Sequence, residues 1–290
     1  MIRYGISHRF QTPKYFSKTK FKTLRPQNME LYSIEDAHKR YSQIVLTNLT
    51  ILQKCLDLCL ELDIKAFRPP KLAPLATHET LGYSLDSLDD YQKIKSICSK
   101  IGKFCSDQNI RMTFQPDQHC VLGANKHDIV IRCIKELGVI EEFQKLMNIS
   151  DIIILDLGNI YGSKEKTMER TIKNFKTLTP WLQEHLAFTN DRFYGPSEII
   201  ELCNNLKTPF VLDTNTIEYD IDYNFEELAF GFEPLARISS VPQGKPSGIA
   251  YLVEKIPFDL KKIKKGMTIE IEALYKEIAV EKVRKHESHN

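Results

Sequence analysis

The stretch Asp151–Lys164, DIIILDLGNIYGSK, constrains the fold of this chain more than any other. Its apolar run, Ile152–Leu155, has no polar alternation, as expected of a strand buried on both faces in a parallel sheet covered by helices. Asp156 then stands at the strand's C-terminal end, before a Gly-Asn turn and a helix-like segment from Ser163. A carboxylate emerging where a parallel strand ends is where α/β proteins place their chemistry.

Segments of strand and helix character alternate on either side of that stretch. Strand patterns fall at Arg3–His8, Ile64–Phe67, Arg111–Phe114, Leu186–Thr189, Pro209–Leu212, Leu235–Ser239 and Met267–Ala273. Between them lie helical patterns over about Ile34–Leu62, around Ile94–Cys105, near Asp128–Met147, Lys164–Phe175, Pro196–Leu206, Phe225–Phe230 and Ile249–Ile256. A Ser33-x-x-Asp36 start caps the first of these, and Pro196 suits the first turn of another. The segment after strand one reads as a long polar loop, and a short helix follows the last strand. Eight β/α units in series predict a closed (β/α)8 TIM barrel, with an open doubly wound sheet as the alternative. No linker, internal repeat or Gly-rich phosphate fingerprint divides the 290 residues, so one domain over 1–290 is expected.

Composition narrows the setting. A net charge of +2 demands no nucleic-acid partner globally, so any basic surface must be local. The strand-like IRYGIS start reads as no signal peptide, and no apolar run approaches the roughly 20 residues of a membrane span. Seven cysteines, without a CxxC pair and mostly at apolar helical positions, read as reduced core thiols. An intracellular, reducing compartment is expected, with nucleus, cytoplasm and virion not distinguished.

In a barrel the C-terminal strand ends carry function. Those positions hold Arg68, Gln115, Asp156, Thr189 with Asn190 and Asp191, Asp213 with Asn215, Arg237 and Glu272. Asp156, Asp213 and Glu272 come from three strands, and brought together they would repel. Either a hard divalent ion or Arg237 must then sit among them. No two histidines stand at metal-ligand spacing on one element, which argues against an imidazole-rich zinc site. The loop after strand one carries Arg9, Lys14, Lys18, Lys20, Lys22 and Arg25, interleaved with Phe10, Tyr15, Phe16 and Phe21. Cations for phosphates and rings for bases suit nucleic acid. The cluster Lys261, Lys262, Lys264 and Lys265 precedes strand eight and reads as a solvated surface.

These segments resemble the UV damage endonuclease family, relatives of endonuclease IV among the xylose-isomerase-like barrels. The resemblance runs in order through Ile2–Ser7, Asn48–Leu52, Phe67–His78 (FRPPKLAPLATH), Arg111–Gln118 (RMTFQPDQ), Ile152–Lys164, Phe188–Asp191, Pro209–Asp213, Ile238–Ser240 and Ile271–Ala273. PLATH and the later YGSK are its most specific parts. It implies the closed barrel and an ancestry in nicking DNA 5′ to lesions with a cluster of divalent metals, typically manganese. With it, Arg68, His78, Gln118, His119 and Tyr161 are expected along the DNA, joined by Lys14, Lys18, Lys20 and Lys22 on the strength of the loop's own composition.

Most metal-ligand positions of the family are substituted here. Family histidines align with Gln115, Asp156, Arg237 and Thr216, and another falls near Gly248 and Ile249. The bridging glutamate aligns with Thr189 and the modified lysine with Leu235, while Asp213 and Glu272 are retained. The double serine before PLATH is Pro69-Pro70, and the strand-one tyrosine of the lesion-probing set aligns with Ile6. The expectation is therefore a barrel without the multi-metal cluster and with no cofactor, retaining DNA binding or a structural role. The alternative is an active nuclease with one Mn or Mg ion on Asp156, Asp213 and Glu272. An isomerase on the same barrel would need a sugar-handling constellation, and none is visible. DNA is the expected partner, a protein partner is open, no membrane is involved, and the chain is expected to be a monomer.

Overall fold

The computed structural model describes residues 1–24, 31–74, 84–216, 223–240, 250–253, 256 and 266–287. Eight strands run parallel: β1 (Ile2–Ser7), β2 (Ala66–Arg68), β3 (Arg111–Met112), β4 (Ile153–Asp156), β5 (Leu186–Thr189), β6 (Phe210–Asp213), β7 (Leu235–Ser239) and β8 (Met267–Glu272). Their order is β3-β2-β1-β8-β7-β6-β5-β4. The two edges of that order meet at a parallel bridge between Phe114 and Ile153. There Phe114 N donates to Ile152 O at 3.2 Å, and Ile154 N donates to Phe114 O at 2.8 Å. This seam closes the sheet into the expected (β/α)8 barrel.

The helices of the outer layer are α1 (Pro13–Phe16), α2 (Ile34–Glu61), α3 (Tyr91–Asp107), α4 (His127–Met147), α5 (Lys164–Phe175), α6 (Pro180–His185), α7 (Pro196–Leu206), α8 (Phe225–Leu228) and α9 (Lys276–Glu287). Ser33 caps α2 as its sequence predicts, its Oγ accepting from Asp36 N at 3.1 Å. By length and composition α2 would suit a membrane span. Its apolar stripe instead faces the barrel, with Val45, Leu49, Leu52 and Leu56 fully buried. One continuous core joins those residues to Ile6, Phe67, Ile153, Phe188, Leu212, Ile238 and Ile271 from the strands.

Several expected boundaries move, each for a local reason. Strand two starts at Ala66 rather than Ile64, because Ile64 N still bonds Cys59 O at the end of α2. Arg68 joins it through its register with Ser7. The expected polar loop after β1 contains α1 and a 3-10 turn at Ser17–Thr19. Six-residue α6 has too few turns for a helical period, but Thr179 Oγ1 caps it by accepting from Leu182 N. Residues 250–253 and 256 are not helical, and the rest of the helix expected over Ile249–Ile256 lies outside the described residues. All seven cysteines are free and buried. Burial pushes the thiols of Cys55, Cys98, Cys105 and Cys203 up to about 12, which keeps them inert.

Candidate functional site

The C-terminal strand ends open into a cleft of about 1140 Å³. Its wall includes Asp156, Asp213 and Arg237 from the strand ends, with Gln118, His119 and Tyr161 from the loops after β3 and β4. Pattern and parity place these side chains here. In a strand, residues two apart share a face, so Glu270 and Glu272 of β8 both project toward the interior. Glu270, absent from the sequence-based candidates, is the more buried of the two, with 3% of its side chain exposed against 17% for Glu272. The alternation in TIEIE was the signal for it.

Three cations of the chain itself thread these carboxylates. Arg68 Nε donates to both Glu270 oxygens at 3.1 and 3.0 Å, and its Nη2 reaches Glu270 Oε1 at 2.5 Å and Glu272 Oε1 at 2.9 Å. Its Nη1 donates to Gln115 Oε1. Gln115 passes the link on, Nε2 donating to Asp156 Oδ2 at 3.0 Å. Arg237 Nη1 donates to the same Gln115 oxygen at 3.2 Å, and its Nη2 to Thr189 Oγ1 at 3.0 Å. That Nη2 also lies 3.1 Å from Asp213 Oδ2 and 3.6 Å from Asp156 Oδ1. Lys276, one turn beyond Glu272, reaches Glu272 Oε2 at 3.0 Å and the Ser7 hydroxyl at 2.5 Å. Ser7 Oγ in turn donates to Glu272 Oε1 at 2.6 Å.

The electrostatics follow from this wiring. Burial alone would raise the Glu272 carboxyl, but Lys276, Arg68 and the Ser7 hydroxyl outweigh it and hold it well below the usual carboxylate range. Burial would likewise lower the Arg68 guanidinium, yet Glu270, Glu272 and Asp156 together raise it. His8, at the end of β1 with φ 65°, is held neutral down to about 4 by desolvation and by Arg68 and Lys276. Asp191, beside the cleft, is raised by desolvation against hydrogen bonds from the Tyr194 and Phe193 amides.

Asp156, Asp213 and Glu272 therefore do not share one centre: Asp156 and Asp213 flank Arg237, and Glu272 belongs to Arg68 and Lys276. Among the described residues, no group of three or more His, Cys, Asp and Glu side chains is placed to hold a metal ion. Among the described residues, the donor set does not fit a multi-metal cluster. A guanidinium cannot be deprotonated to ligate, and Arg237 lies beside both Asp156 and Asp213.

The expected DNA contacts divide in the same way. Lys14, Lys18, Lys20 and Lys22 are all exposed, whereas Phe10 is buried and Tyr15, Phe16 and Phe21 are half-buried. Phe10 is fully buried and stacks near Phe67, Tyr15 packs edge-on to Phe10, and Arg9 covers Phe16 at 4.6 Å. The loop is thus a cationic surface over rings that are partly packed against the core. Gln118 and His119 are exposed on the cleft wall, and His119 lies 4.0 Å from Asp117. Tyr161 is half-buried against Val121, Ala124 and Val130. Arg68 is 2% exposed and committed to its carboxylates, so it supports the mouth from below and does not line a DNA path. His78 and the cluster Lys261–Lys265 lie outside the described residues, as does the side chain of Thr216.

The profile of the UV-endonuclease UvdE family matches residues 11–231, most of the chain. The chain belongs to that family. Two UvdE-like relatives are the UV DNA damage endonucleases of Clostridium perfringens (strain 13 / Type A) and Bacillus mycoides (strain KBAB4). The first is 27% identical over 195 residues, 65% of this chain and 46% of its own length. The second is 28% identical over 223 residues, 73% of this chain and 66% of its own length. The chain thus spans between about half and two thirds of these curated relatives. The crystal structure of SacUVDE superposes with a TM-score of 0.81 at 22% identity, covering 100% of this chain and 99% of that one. Endonuclease IV from Thermus thermophilus superposes with a TM-score of 0.56 at 13% identity, over 99% and 100% of the two chains. At such identities the two structures establish the shared UvdE and endonuclease IV barrel, and the chemistry is argued below from this chain's own residues.

Proposed function

We propose that this UvdE-family barrel binds damaged DNA without cutting it, its own cations standing where the family's metals stand. The observation that carries the reading is Arg237, whose guanidinium bridges Asp213 and Gln115 and lies beside Asp156. A mouth with four bare carboxylates would repel a phosphodiester chain. Here Asp156, Asp213, Glu270 and Glu272 are set against Arg68, Arg237 and Lys276, so four negative charges less three positive leave one. DNA would approach a nearly neutral cleft, gripped through phosphates by the lysines of the β1 loop. Gln118 and His119, on the cleft wall, would meet the distorted bases of a lesion.

A second reading, a nuclease using one Mn or Mg ion, draws on a different feature. Asp156 and Asp213 are the most open of the four carboxylates, with 31% and 23% of their side chains exposed. One hydrated divalent ion bound by one or two carboxylates is ordinary magnesium chemistry. It would have to displace Arg237.

Elemental analysis of the purified protein, paired with gel-shift and nicking assays on irradiated supercoiled plasmid, tests both. The first reading expects binding, well under one metal equivalent, and no nicking with manganese or magnesium. Two or three tightly bound equivalents would overturn it. Manganese-dependent nicking abolished by Asp156→Asn and by Asp213→Asn would establish the second.

A further inference from the structure

The β7 and β8 rims carry an exposed aromatic pair that the cleft does not use. Tyr251 and Tyr275 stack with ring centroids 5.9 Å apart and planes 21° from parallel. Tyr251 is 65% exposed and Tyr275 39%, and Leu274 and Ile278 beside them are exposed as well. Large apolar side chains gathered on a surface usually mark a contact site. The pair is also held in place by backbone: Leu274 N donates to Ala250 O and Tyr275 N to Tyr251 O, both at 3.0 Å. Ala250 N donates in turn to Ser240 O, next to the end of β7. Both rings are therefore fixed at the C-terminal rim, on the face of the barrel that holds the mouth.

We propose that Tyr251 and Tyr275 form a stacking platform for an unpaired or extruded base of the bound nucleic acid. The choice of occupant rests on charge and on order around the rim. In the sheet β7, β8 and β1 are neighbours, so the tyrosines and the β1 loop occupy one continuous arc. Glu277, two residues after Tyr275, ties them together by accepting from the Gln11 and Thr12 amides at 3.0 and 2.7 Å. From there the loop presents Lys14, Lys18, Lys20 and Lys22 to solvent. Exposed rings beside a cationic track have the chemistry of a single-stranded nucleic-acid path, where each base has a face to stack and each phosphate a cation. Phe10 of the loop is buried and Tyr15, Phe16 and Phe21 are half-buried, so Tyr251 and Tyr275 are the more exposed rings of that arc. An apolar peptide would use the rings and leave the lysines idle.

The inference rests on the DNA-binding reading above, and its test separates the two. Oligonucleotide duplexes carrying a two-base bulge of 2-aminopurine are titrated with the full chain, following anisotropy for affinity and base fluorescence for stacking. The expected result is binding with quenched fluorescence. Tyr251→Ala/Tyr275→Ala should lose about tenfold in affinity for the bulged duplex and most of the quench. Tyr251→Phe/Tyr275→Phe, which keeps the rings, should retain both. A circular dichroism melt matching the parent's confirms that the alanine variant is folded; if it is not, the single variants Tyr251→Ala and Tyr275→Ala are read instead. Binding and quenching that survive the alanine substitutions would overturn the platform and leave DNA binding standing. A parent chain that binds no DNA would overturn both readings, and a platform that instead captures an apolar peptide would overturn this one.

Discussion

Arg237 and Asp213 face each other across adjacent strands, paired in the β6–β7 register, with Nη2 and Oδ2 3.1 Å apart. The register sets this contact before any side chain chooses a rotamer. It makes Arg237 one end of an ion pair.

Arg237→Ala should destabilise the fold. Removing one partner of a buried pair costs about 3–5 kcal/mol; Asp213 and Asp156 are partly solvated, so a loss of about 2 kcal/mol is expected. Adding Asp213→Asn should recover part of it, since the stranded charge is then gone. Urea denaturation of the single and double variants measures both. An unchanged midpoint for Arg237→Ala, or a melting point that rises with manganese, would favour the single-metal reading.

Glu272 makes a pH prediction. Its carboxyl is depressed in the folded chain, so its contribution is fully present above the unfolded value, about 4.3, and fades as pH falls through the lower folded value. Glu272→Gln should therefore be less stable than the parent at neutral pH, with the gap closing below about pH 4. A gap that stays constant through the acid range would mean that Lys276 and Arg68 do not act on this carboxylate.

His8 should titrate near 4 in the folded protein, followed by the chemical shift of its ring protons. A base depressed on folding stabilises the fold above its unfolded value, about 6.5, and loses that contribution as pH falls toward 4. His8→Asn, tolerated at a left-handed backbone position, should flatten stability over that interval. A ring titrating near 6.5 would mean that His8 is neither desolvated nor held close to Arg68 and Lys276.

Neutralising Lys14, Lys18, Lys20 and Lys22 together should weaken duplex binding and flatten its salt dependence. The log–log slope should fall by about 0.9 for each phosphate these lysines neutralise in the parent chain. The same change at Lys261, Lys262, Lys264 and Lys265 should do little. Equal slopes for parent and loop variant would assign the loop to some other partner.

Elements with a strong local signal were legible in the chain. The helices Lys164–Phe175 and Pro196–Leu206 and the strands Leu186–Thr189 and Leu235–Ser239 fall where their periodicity and capping residues put them. Such elements depend on neighbours a few residues apart. The alternation of eight β/α units likewise favoured a barrel, because parallel strands need helical crossovers. Whether that alternation closes is decided by one bridge, Phe114 to Ile153, between the edges of the sheet. The partners of the charges were equally out of reach. Of the three carboxylates expected around Arg237, Asp156 and Asp213 do lie beside it, and Glu272 lies instead with Arg68 and Lys276. Arg68 and Glu270 are 202 positions apart in the chain. Sequence determines which side chains are charged and which face of a strand they take. Only the register and closure of the barrel decide which opposite charges come within about 3 Å, because Coulomb pairing depends on distance and carries no trace in local order.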